Sequence, residues 1–252
     1  MFKRAAVLVG FALLCGCGVD ESENQEIVAN LIEAGFPADD IQIGDGMVYV
    51  GRDTHVTLAA SREMLQPSAI DQEQYRTTNL VSTSVSKICV NPTSSFNSYS
   101  RLVAGLDGAI SKYNALGLTF YLAKGPTTGC SANIAAKTTS GVGGSSGFPS
   151  GGMPYNTINI GTGLKSYSID VNEHVITHEI GHTIGFRHSD YYNRTISCGT
   201  GGNEGDAGIG AILIPGTPST ATRGGSVMNS CFRSTETGEW LGADVTALQY
   251  LY

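Results

Sequence analysis

Four of the five histidines in this 252-residue chain crowd between positions 174 and 188. His178 and His182 stand four apart, Glu179 directly follows the first, and His188 comes six residues after the second. Neutral imidazole is the commonest metal ligand near pH 7. Three imidazoles with a fourth position left to water form the donor set of a hydrolytic zinc site. A carboxylate beside that set can take the proton from water as it attacks a peptide carbonyl, then pass it to the leaving amine. The spacing therefore predicts one catalytic Zn2+ on His178, His182 and His188, with Glu179 as general base.

Such a set must be positioned by a helix that stops at the right place. On a helix, His178 and His182 are separated by about 40° around the axis and about 6 Å along it, so both rings leave one face. His188 on the same helix would sit roughly 15 Å beyond His178, too far to share an ion. The helix must end first, and Gly185 supplies the stop, because glycine takes the left-handed conformation without a Cβ penalty. Asp170 followed by Glu173 is a capping-box pattern and predicts the helix start.

The run His178-Glu179-Ile180-Gly181-His182-Thr183-Ile184-Gly185-Phe186-Arg187-His188 resembles the long zinc signature of the metzincins, and in particular the exported bacterial metallopeptidases of the HEIGH type. The resemblance implies a zinc metalloendopeptidase acting on protein or peptide substrates. It places Met228, within Ser226-Val227-Met228-Asn229, in a methionine turn beneath the metal, and gives His174 no ligand role. Ser230 stands where some members carry a zinc-reaching tyrosine, and Ser189 follows the third histidine as in matrixin-like members. By the same analogy residues 157–160 form the edge strand against which an extended substrate pairs, and residues 242–252 form the closing helix. The rival reading is a catalytically inactive zinc-binding surface lipoprotein, against which the retained Glu179 argues.

Residues 18–80 carry twelve acidic against three basic residues, a formal charge of −9, whereas residues 81–252 carry ten of each. So sharp a shift marks a change of module. Within the acidic part a short helix over 22–34 and a hairpin over 41–50, turning at Gly44-Asp45-Gly46, are expected. Residues 77–86, rich in Ser and Thr, predict a cleavable linker. The module reads as a prosegment that keeps a zymogen inactive, or as a spacer. It lacks a cysteine beyond Cys17, so a carboxylate would have to cover the metal, and Asp53 is the first candidate. In the neutral part, strands are expected over 87–90 and 118–122 and a helix over 98–116. The glycine- and serine-rich residues 141–152 predict a mobile surface loop.

Lys3 and Arg4 ahead of an apolar run over 5–14 predict an export signal, and the Leu14-Cys15-Gly16-Cys17 end resembles a lipobox that would attach lipid to Cys17. The expected location is outside the bacterial cytoplasm, as an envelope lipoprotein or a secreted monomer whose membrane contact runs only through that lipid. Four cysteines remain, which suggests two disulfides in an oxidising compartment. Three pairings exist, and loop lengths make Cys89–Cys130 with Cys198–Cys231 the simplest. No basic face is in evidence, which disfavours nucleic acid as a partner. Calcium as a second cation is left undetermined. The fold expected is α+β: a metzincin-like catalytic domain over 81–252, with a twisted mixed sheet, active-site helix and C-terminal helix. A small acidic N-terminal module over 18–80 and a signal over 1–17 precede it.

Overall fold

The structure, a computed structural model, describes residues 21–66, 75–205 and 211–252. The signal and lipobox-like end at 1–17 lie outside the described residues. In the N-terminal module, α1 (Glu21–Glu33) is followed by β1 (Gln42–Gly44), β2 (Met47–Val50), β3 (Thr54–Val56) and α2 (Leu58–Met64). Then come β4 (Tyr75–Arg76), β5 (Lys87–Pro92), the short α3 (Ser94–Asn97), α4 (Ser100–Asn114), β6 (Tyr121–Lys124), β7 (Ala132–Thr139), β8 (Gly144–Gly147) and β9 (Thr157–Gly161). The chain closes with α5 (Ile169–Thr183), the short α6 (Thr195–Cys198), β10 (Ile212–Leu213) and α7 (Gly242–Leu251). No helix among the described residues is long and apolar enough to cross a membrane.

Eight strands form one mixed sheet in the order β1-β2-β3-β8-β9-β7-β5-β6. The strands β6, β5, β7 and β9 run parallel to one another, β8 is antiparallel to β9, and β3 joins β8 in parallel. The acidic module therefore extends the sheet of the following part as a β1–β3 meander.

Helices α4 and α5 cover that sheet. Leu102, Leu106 and Ala109 of α4 and Val171, Ile176 and Ile180 of α5 bury against Ile88, Val90, Ile134 and Ile158 of the strands. Each such leucine, isoleucine or valine contributes about 1.5–3 kcal/mol on full burial, which anchors α5 on the sheet. A second apolar cluster joins Ile27, Leu31, Val48, Val56 and Met64 of the N-terminal module to Phe148. Both disulfides take the simplest pairing, Cys89–Cys130 and Cys198–Cys231.

Expectations for residues 141–152, 157–160 and 77–86 need correction. The 141–152 run contains β8, since its small side chains let the backbone pair with strands on both sides. Residues 157–160 are consequently interior, because β9 lies between β8 and β7, and β8 would be the edge if β3 were absent. Residues 77–86 are no loose linker: Thr77 and Asn79 are buried. The Thr77 amide donates to Gly185 O at 2.9 Å, and Asn79 Nδ2 reaches Pro149 O at 3.0 Å and Ala60 O at 3.1 Å. Serine- and threonine-rich composition signals polarity, and at the start of this segment that polarity goes into buried hydrogen bonds, while Ser82, Thr83, Ser84 and Ser86 stay exposed.

Candidate metal centre

Helix α5 starts at Ser168, whose hydroxyl accepts the Val171 N–H at 3.1 Å. Asp170 lies inside the first turn, so the Asp170/Glu173 pattern marks the right turn with the wrong capping residue. The helix ends in a Schellman arrangement, with Gly185 N–H donating to His182 O at 3.0 Å and Phe186 N–H to Gly181 O at 3.1 Å. Gly185 has φ +110°, as the required turn demands. A β-carbon there would stand 2.5 Å from Asn79 O.

Past that turn the three imidazoles converge. His182 Nε2 is 3.0 Å from His178 Nε2 and 3.2 Å from His188 Nε2, and the last two are 3.2 Å apart. The opposite nitrogens all face oxygen: His178 Nδ1 donates to Val227 O at 2.9 Å, His182 Nδ1 to Phe186 O at 2.7 Å, and His188 Nδ1 to the Glu204 carboxylate at 2.7 Å. With each proton placed on Nδ1, three bare Nε2 lone pairs point at one another in a buried space and can be satisfied together only by a cation. Three nitrogens around a tetrahedral zinc would lie about 3.3 Å apart, so the cluster fits that ion.

A fourth group completes the cluster. Asp53, between β2 and β3, places Oδ2 3.1 Å from His188 Nε2 and 3.8 Å from His178 Nε2, and Oδ1 3.8 Å from His182 Nε2. Asp53, His178, His182 and His188 are the one group of His, Cys, Asp or Glu side chains among the described residues whose ligand atoms lie close enough to share an ion.

The electrostatics follow from this crowding. Burial, reinforced by His178, takes His182 down to about 3. Burial acts the same way on His188, but the Asp53 and Glu204 carboxylates override it and hold that ring well above its ordinary value. For Asp53 burial is again the largest influence, outweighed by His188 and its neighbours, so the carboxyl stays well below the usual range.

Glu179 lies beside this group. Its Oε2 accepts the Ser146 hydroxyl of β8 at 2.9 Å. Burial first, and Asp53 second, push its carboxyl well above the usual carboxylate range. A cavity of about 110 Å³ opens against Glu179 and His178, walled by His174, Val175, Asn229 and Phe232 and closed from one side by Asp53. His174 is buried, 3.8 Å from Glu236, and outside the cluster.

The floor is built by the turn at Met228. A β-carbon on Gly181 would lie 2.6 Å from Met228 Sδ, so the methionine packs against α5 between the two helical histidines. Asp244 of α7 fixes this turn by accepting the Ser226 hydroxyl at 2.6 Å and the Val227 amide at 3.1 Å. That bond holds Val227 O where His178 needs it. Glu204, Ser146 and Asp244 escaped sequence reading, since each meets its partner only through tertiary approach.

Residues 48–252 match the family model described as dual-action HEIGH metallo-peptidase. The chain belongs to that family. It is a metallopeptidase, and the match begins inside the acidic module, taking in Asp53 as well as the histidines. Two structures of myroilysin are also similar. One is 14% identical, covering 65% of this chain and 90% of its own at a TM-score of 0.42. The other is 13% identical, covering 64% and 80% at 0.36. No curated protein matches the chain.

Proposed function

We propose that this HEIGH-family metallopeptidase is a zinc-dependent endopeptidase of metzincin type, held latent by its own N-terminal module. The observation that carries the reading is the meeting of the three Nε2 atoms within 3.0–3.2 Å of one another, with Glu179 beside them. His178, His182 and His188 would hold the ion. Zinc, when bound, supplies Lewis acidity for the attack of water on a peptide carbonyl. Glu179 takes the proton from that water and returns it to the leaving amine. Ser146 keeps the carboxylate turned toward the cavity.

Latency rests on Asp53. Its carboxylate stands at the open side of the histidine cluster, where water would have to enter, and β3 occupies the margin of β8 that an extended peptide would otherwise use. Export, with lipid on Cys17, remains part of this reading and is tested by fatty-acid labelling of the wild type and Cys17→Ser.

Peptide hydrolysis by the full chain and two variants tests the core. Asp53→Ala should raise turnover at least about tenfold, and adding Glu179→Ala to it should remove at least about 100-fold, the scale of general-base catalysis. Equal activity of Asp53→Ala and wild type would end the latency reading. Undiminished hydrolysis after loss of Glu179 would end the mechanism.

A further inference from the structure

His188 differs from the other two histidines in how it is held. His178 and His182 are fixed by α5 and by main-chain carbonyls. His188 lies beyond the Gly185 turn, on irregular chain, and its Nδ1 meets the one charged partner in the set, Glu204 Oε1 at 2.7 Å. Glu204 is itself nearly inaccessible, at 2% exposure. Its amide donates to Tyr191 O at 2.7 Å, while Arg187 Nη2 donates to its carbonyl at 2.8 Å and lies 3.3 Å from Oε2. Arg194 stands 3.6 Å from Oε1 and binds Asp40 of the N-terminal module at 3.1 Å. Gly51, at φ +63°, packs so closely that a β-carbon would come 3.1 Å from Glu204 Oε2 and 3.2 Å from His188 Cε1. A buried carboxylate with two arginines and a side-chain-free backbone closed over it is held in one orientation.

We propose that Glu204 is the positioning residue for the third metal ligand, fixing the Nδ1–H tautomer and ring direction of His188 so that Nε2 stays aimed at the ion. The chain from Ser189 to Asn203 loops away and returns to deliver this one carboxylate, which does for His188 what the helix does for its two companions. A charged acceptor also raises the donor strength of the opposite nitrogen more than a carbonyl does, and loss of such a partner typically weakens metal binding about 10–100-fold. The proposal rests on the zinc reading of the site.

The test measures Zn2+ affinity of the full chain by competition with a chromophoric chelator, together with the nitrogen-15 and proton NMR signals of the histidine ring N–H groups in the zinc-loaded protein. Glu204→Leu should lose about 10–100-fold in affinity. Glu204→Gln, whose amide oxygen can still accept from Nδ1–H, should recover most of that. It should also move the His188 Nδ1–H resonance upfield while leaving those of His178 and His182 in place. Should Glu204→Leu fail to fold, the resonance in the nearly isosteric Glu204→Gln decides alone. An unmoved His188 signal, or wild-type affinity in Glu204→Leu, overturns the proposal. Absence of zinc binding by the wild type would instead overturn the reading on which it rests.

Discussion

At the scale of single residues, the site depends on a position with no side chain. Gly185 joins the helical pair to His188 at φ +110°, and its amide and the next one close the last turn of α5. Gly185→Val would meet two penalties at once. A β-branched residue at positive φ costs roughly 1–2 kcal/mol, and its Cβ would press on Asn79 O, which lies 2.5 Å from where that carbon must go. The variant should unfold at lower urea concentration and bind zinc at least about tenfold more weakly, since a 1.4 kcal/mol change is a factor of ten. An unchanged urea midpoint and unchanged zinc affinity would show that the turn tolerates a side chain. The residues legible in sequence are those whose geometry is local: His178, His182 and Glu179 by helical spacing, His188 by the glycine between. Asp53 was visible only as a carboxylate in the right module, because its approach crosses 125 positions of chain. Glu204 and Ser146 carry no local signature, since a lone glutamate or serine gains meaning only from what it meets.

At the scale of elements, legibility followed periodicity. The helices α1, α4 and α7 and the β1–β2 hairpin lie close to where apolar spacing and turn residues put them. The strand expected at 118–122 is displaced to Tyr121–Lys124, as strand ends are set by pairing partners. Glycine-rich β8 has no apolar alternation to read, and what makes it a strand is the pair of neighbours it lies between. Likewise the expected linker at 77–86 is preceded by a strand, and residues 75–79 behave as framework. Strand β4 pairs with β10, the Arg187 amide donates to Tyr75 O at 2.9 Å, and Arg76 bridges to Phe186 on the chain leading to His188. A chain beginning at Tyr75 should therefore outlast one beginning at Val81, which loses all of these bonds and the buried Thr77 and Asn79. Thermal melting of the two truncated proteins checks this. If both melt at the same temperature, the segment is no part of the catalytic framework.

For the whole molecule, the contacts that join residues 21–66 to the rest include the Asp53 approach to the histidines, the buried Asp40–Arg194 pair, the His55–Tyr155 hydrogen bond, and the β3–β8 pairing backed by Phe148 in its apolar cluster. The charge boundary in sequence announced a second module, yet the fold makes one continuous sheet of the two. The cause is that sheet extension uses backbone hydrogen bonds, which leave no mark on composition.

The disulfides add a consequence. Both lie within residues 89–231, and together they use every cysteine beyond Cys17, so no covalent bridge joins residues 21–66 to the histidine-bearing part. On the latency reading, a single cut between Gln66 and Tyr75 would turn an intramolecular restraint into an ordinary ligand obeying mass action. The restraint loses an effective concentration on the order of millimolar, but its contacts survive. A nicked sample should therefore be sluggish when concentrated and gain specific activity on dilution, and adding the purified N-terminal fragment back should reverse the gain. Specific activity independent of protein concentration from micromolar to nanomolar would mean that the fragment leaves for good once the chain is cut.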